Sequence, residues 1–157
     1  MEQEISGILM KAYQLSEDRN YVQALKCYKN ILQIEHDNVG VIIDYGVTLQ
    51  NLELYHQALE SYDKALSLQP KNMNALINKG SVLHTLEKYA DAITCYNIVL
   101  SINKNNPIAL VYKGLSVAEI GNVQLAIKYF KKALLIDSEC ELAKISMNTA
   151  KCVIKSK

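Results

Sequence analysis

The sequence predicts an all-α chain, a stack of four helix-turn-helix units closed by a final helix, and three observations lead there. Ala24, Ala58, Ala92 and Ala126 recur every thirty-four residues, each followed four places on by a large ring at Tyr28, Tyr62, Tyr96 and Phe130. Within each copy the apolar residues fall at spacings of three and four, which gather them on one face of a helix. Asparagine returns at each joint between copies, as Asn38, Asn72 and Asn106. Self-similarity at such a period marks stacked supersecondary units that touch mainly their neighbours. A stack of that kind presents a surface to bind with rather than a pocket to react in.

Aligned on the alanines without gaps, the copies are residues 5–38, 39–72, 73–106 and 107–140, followed by a tail over 141–157, and they are expected to form a single domain over 1–157. In the first half of each copy an apolar residue (Ile8, Ile42, Leu76, Leu110) precedes by four a small one (Ala12, Gly46, Gly80, Gly114). Three places further come Leu15, Leu49, Leu83 and Val117. Glycine inside a helix costs about 1 kcal/mol against alanine, so three in register call for close packing by the helix that follows. The second half opens on Tyr21, Tyr55, Tyr89 and Val123. It then runs through the alanine, Leu25, Leu59, Ile93 and Ile127, the ring, and Leu32, Leu66, Leu100 and Leu134, again a helical stripe.

At the joints, Asn38, Asn72 and Asn106 suit helix N-caps, whose side-chain oxygen accepts from the free amides of the first turn. Pro107 falls at the first helical position, where a missing amide hydrogen costs nothing, and Pro70 sits just past a helix end. The tail reads as a capping helix, because a terminal unit otherwise exposes its apolar face. Leu142, Ile145, Thr149 and Cys152 are expected to cover the last unit, with Lys144, Lys151 and Lys155 in water. No comparable cap precedes Ile5.

Half the residues are apolar and a fifth are charged, the balance of a folded soluble protein. No apolar run reaches the 18 or so residues that cross a bilayer, and the start, Met1-Glu2-Gln3-Glu4, lacks the basic flank and apolar stretch of a signal peptide. A cytoplasmic protein without membrane insertion is expected. None of the four cysteines sits in a CxxC pair; Cys27 and Cys95, two copies apart, and Cys140 and Cys152, along one helix, are too far apart to bridge, so reduced thiols are expected. Charge is uneven: ten acids and six bases lie in residues 1–72, against six acids and eleven bases in 73–157.

The alanine, ring and small-residue positions in all four copies, with the tyrosine that opens the second helix in three, resemble the tetratricopeptide repeat family over residues 5–140. Two departures stand out. The bulky aromatic common early in the family's first helix is replaced by Ile8, Ile42, Leu76 and Leu110, and the proline near the unit's end survives only as Pro70. The resemblance implies a right-handed superhelical solenoid whose first helices line a concave groove. Leu9, Tyr13, Ile43, Asp44, Val47, Gln50, Ile77, Asn78, Ser81, His84, Ile108, Val111, Tyr112 and Leu115 then point inward. That mostly apolar list suits a peptide segment of a partner protein, with Asp44, Asn78 and Tyr112 as a polar row.

Some members of the family grip a chaperone's C-terminal carboxylate with lysines and asparagines. At those positions this chain offers Leu9, Tyr13, Asp44, Asn74 and Asn78, so that clamp is not expected.

Neither an enzyme nor a cofactor, metal or small-molecule substrate is expected. His36, His56 and His84 occupy different places in the copy, and the chain contains no HExxH, phosphate loop or nucleophile elbow. Nucleic acid is disfavoured as a partner, since Lys128, Lys131 and Lys132 have no stacking aromatics among them and the net charge is only +1. Two functions therefore remain: an adaptor that holds a partner's peptide in the groove, and a scaffold that assembles with copies of itself.

Overall fold

The computed structural model describes residues 2–155, without the side chains of Glu2 and Lys155; the exposure expected of Lys155 and the end of the tail, 156–157, lie outside the described residues. Among the described residues the chain forms nine α-helices: α1 (Glu2–Glu17), α2 (Tyr21–Ile34), α3 (Val39–Asn51), α4 (Tyr55–Leu68), α5 (Met73–Thr85), α6 (Tyr89–Ile102), α7 (Pro107–Glu119), α8 (Val123–Ile136) and α9 (Glu141–Lys155). Two helices per copy and a ninth at the end is the all-α arrangement the repeat predicts. None is long and apolar enough to cross a membrane.

Each joint is made as the asparagines predict. Asn38, Asn72 and Asn106 accept through Oδ1 from the backbone N–H of Val41, Ala75 and Ala109 at 3.1, 3.1 and 2.8 Å. Pro107 opens α7. The tight turn inside each copy has a cause the sequence reading missed. Arg19, Glu53, Glu87 and Gly121, again thirty-four apart, have φ of 57, 59, 59 and 91°. The residue after each donates back five places, Asn20 to Leu15 at 2.7 Å, Leu54 to Leu49 at 2.9 Å, Lys88 to Leu83 at 2.8 Å and Asn122 to Val117 at 3.1 Å. This is the left-handed closure of a helix C-terminus, with glycine in only one copy of four.

The chain divides into two compact units, Met1–Val82 and Leu83–Lys157, with the boundary inside α5. In the first, α1 packs on α2, α2 on α3 and α3 on α4. Ala12, Ala24, Tyr28, Ile31 and Val41 form one buried cluster there. In the second, α6 packs on α7, α7 on α8, and α9 on both α7 and α8. Leu110, Val117, Ala126, Phe130 and Ala133 are buried together with Ala143 of α9. All four motif alanines are fully buried, and the four rings are at most 2% exposed.

What meets Gly46 and Gly114 is the ring itself. A Cβ built on Gly46 falls 2.7 Å from Tyr62 Cε1, and one on Gly114 falls 2.5 Å from Phe130 Cε1. Second-helix burial also differs from the expected stripe. Ile31, Ala65, Val99 and Ala133 are fully buried, whereas the neighbouring Leu32, Leu66, Leu100 and Leu134 are half-buried.

The capping helix corrects the sequence reading by a rotation. Ala143, Ser146 and Ala150 are the buried residues of α9, while Leu142, Ile145 and Val153 are 40, 61 and 40% exposed. Thr149 and Cys152 are exposed as well. Small side chains let α9 sit close on α8, and that closeness selects the alanine face over the bulkier one. Lys144, expected in water, is held by Glu139 and Glu141 at 3.2 and 2.9 Å.

Candidate functional site

In the first unit, α1 and α3 bring together two residues of the expected groove. The Tyr13 hydroxyl donates to Asp44 Oδ2 at 3.1 Å. Tyr13 is 46% exposed and Asp44 half-buried. Burial first, then the charge of Asp44, pushes the Tyr13 phenol up to about 12. Burial likewise lifts the Asp44 carboxyl above its ordinary range, and the Tyr13 hydrogen bond only partly opposes it.

Since the carboxyl's value is raised on folding, its ionisation works against the fold: the stability present below the unfolded value is lost as pH rises through the folded one. Asp44→Asn is therefore expected to melt at a higher temperature than the native chain at neutral pH, with the gap closing near pH ~3. A lower melting temperature at neutral pH would show instead that the carboxylate stabilises the fold.

Further along α3, Gln50 Oε1 accepts from the Tyr62 hydroxyl at 3.0 Å, which ties it to the ring of the same copy. Val47 is half-buried, and Ile43, at 8% exposure, presents little surface. On α5, Ile77, Asn78 and Ser81 are half-buried.

In the second unit, His84 Nδ1 lies 2.9 Å from Ser116 Oγ, and its ring meets Tyr89 edge to face at 5.2 Å. Burial holds the imidazole below its ordinary value, against the pull of Glu119. Tyr112 stacks on Tyr96 with centroids 5.9 Å apart and planes 16° apart. Ile108 is 50% exposed and Val111 fully buried.

Leu115 opens onto a groove of about 490 Å³ between α7 and α9, lined also by Ala118, Glu119, Val123, Leu142, Ile145 and Val153. Helical spacing assigns Leu142 and Ile145 to cover the last unit; in the structure they line this groove.

The ring position carries an asymmetry. Tyr62 spends its hydroxyl on Gln50, but the buried hydroxyl of Tyr96 has no partner, and the fourth copy dispenses with the oxygen as Phe130. A buried, unpaired hydroxyl is destabilising, whereas a satisfied one contributes about 1 kcal/mol. Tyr96→Phe should raise the urea midpoint and Tyr62→Phe lower it; a loss in both would mean that Tyr96 is hydrogen-bonded.

Among the described residues no three His, Cys, Asp or Glu side chains gather as metal ligands, and no disulfide joins the four cysteines.

Paired helices repeated on a thirty-four-residue period define a helical-hairpin repeat protein. The sequence profile of the tetratricopeptide repeat matches residues 46–107 and 85–139, more than half of the chain, and the protein belongs to that family. Proteins of the family are interaction modules for other proteins. The chain matches no curated protein in sequence.

Among solved structures, TTC0263, a tetratricopeptide repeat protein of Thermus thermophilus, superposes with a TM-score of 0.84 at 16% identity, covering 96% of this chain and 82% of that one. MamA superposes at 0.79 and 21% identity, with 96% and 82% covered. The first repeat domain of Spaghetti (RPAP3), bound to the HSP90 peptide SRMEEVD, superposes at 0.70 and 19% identity, with 74% and 93% covered. These likenesses establish the fold.

Proposed function

We propose that the chain is an adaptor that holds a peptide segment of another protein against its first helices, acting as one array over 1–157 and performing no reaction. The observation that carries this reading is the groove of the second unit. Its apolar lining stays exposed at Ile145 and Leu142, 61% and 40%, and includes Leu115 and Ala118 of α7. Apolar clefts on a helical scaffold suit an extended or helical segment with an apolar face. The proposed contact residues are Tyr13, Asp44, Val47, Gln50, Ile77, Asn78 and Ser81 in the first unit, with Ile43 acting mainly through packing, and His84, Ile108, Tyr112 and Leu115, together with Leu142 and Ile145 of the groove, in the second.

The acidic peptide SRMEEVD, bound by the Spaghetti (RPAP3) domain, is a poor fit, because the proposed contacts include Asp44 and no lysine or arginine. A cytoplasmic setting, where thiols stay reduced, is part of this reading, since the cysteines form no CxxC pair.

Selection of a random peptide library on the native chain tests the reading. Ile145→Lys, a surface change in the groove, should weaken the selected peptides more than about tenfold. Asn78→Ala should weaken them about fivefold through a lost hydrogen bond. Failure to select any binder, or affinities indifferent to both changes, would overturn it. The second reading, a self-assembling scaffold, is favoured by the opposite charge of the two sequence halves. A mass that grows with concentration and falls at high salt in sedimentation would put it in place of the first.

A further inference from the structure

Asp44 is an acid placed where acids are costly. Its carboxylate lies half-buried on α3, and its hydrogen bond is to a neutral group, the Tyr13 hydroxyl at 3.1 Å. The ion pairs among the described residues join Lys79 to Asp63 and Lys144 to Glu139 and Glu141, and none reaches Asp44. Burial of a charge is unfavourable unless it is paired. Burial, and with it the Asp44 charge, also disfavours ionisation of the Tyr28 and Tyr62 phenols.

The ring beside it is suited to the missing partner. Tyr13 is 46% exposed and packs edge to face on Tyr28, with centroids 6.3 Å apart. A cation drawn to an aromatic face and a carboxylate together gains from both. Leu9 and Val47, both half-buried, stand one helical turn from Tyr13 and Asp44 on α1 and α3, where an aliphatic stem would rest.

We infer that Asp44 and the Tyr13 ring form a seat for the cationic head of a lysine or arginine side chain carried by the partner segment. The inference rests on the groove reading above and adds the sign of the partner's charge.

The test uses a random twelve-residue peptide library selected on the native chain and, in parallel, on Asp44→Asn. On the native chain the selected peptides should share a lysine or arginine whose replacement by norleucine or leucine weakens binding about tenfold. On Asp44→Asn the enrichment should disappear and the same replacement should change affinity less than about twofold. Peptides that bind without a shared cation, or whose cation matters equally to both proteins, would overturn the seat and leave the groove standing. A library that yields no binder to the native chain would overturn the groove and the seat together.

Discussion

Phe130→Ala is expected to lower the stability of the chain by about 3 kcal/mol or more. The ring is 1% exposed. It is buried with Leu110, Val117, Ala126 and Ala133, and with Ala143 of the capping helix. Removing it takes away the largest apolar side chain of that cluster and leaves a void between α7, α8 and α9. The ring also forms part of the wall of the α7–α9 groove, so water can enter the space from one side, which keeps the expected loss from the top of the usual range. Urea unfolding followed by circular dichroism measures it. A loss below about 1 kcal/mol would mean that the site collapses freely and that the ring position is not what joins the helix pair.

Gly114→Leu is the second large loss, expected at about 2–3 kcal/mol, with α9 loosened along with α8. The helix itself would favour almost any residue over glycine by about 0.5–1 kcal/mol, so the sign depends wholly on the neighbour. That neighbour is rigid and close: the first added carbon would stand 2.5 Å from Phe130 Cε1 and 2.9 Å from Cδ1. Gly7 supplies the control, since nothing lies within 4 Å of a Cβ there. Gly7→Ala should therefore gain a few tenths of a kcal/mol or more. Equal effects of substitution at Gly7 and Gly114 would remove close ring packing as the reason for the buried glycine.

The repeat was legible because it is written in residue identity at fixed spacing. Four alanines, four rings and three asparagines in phase leave helix pairs as the arrangement that buries the first two and caps with the third, and the structure agrees at each. The reversing turn was half legible. Gly121 stands where the chain needs a left-handed residue, but Arg19, Glu53 and Glu87 hold that conformation without glycine, so only the thirty-four-residue phase linked them. The face of α9 was misread because Leu142, Ile145 and Thr149 keep helical spacing as faithfully as Ala143, Ser146 and Ala150. Spacing describes both stripes, and the one that allows the closer approach is buried.

The candidate surface divides along the same line. Which residues lie on first helices follows from the repeat, yet Ile43 at 8% and Ile108 at 50% exposure show that position alone does not say which remain open. The pairings that give the surface its chemistry are remote in sequence, Tyr13 with Asp44 across thirty-one residues and His84 with Ser116 across thirty-two.

By itself the sequence determined the helix pairs, their asparagine N-caps and the alanines and rings at their cores, since local spacing and short-range hydrogen bonding decide these within one turn or one copy. The rotation of each helix against its neighbours, and with it the exposure of Ile145, the unpaired hydroxyl of Tyr96 and the half-buried charge of Asp44, was decided only by tertiary packing. A helical stripe is equally periodic whichever way it is turned, and only the shape of the partner surface chooses.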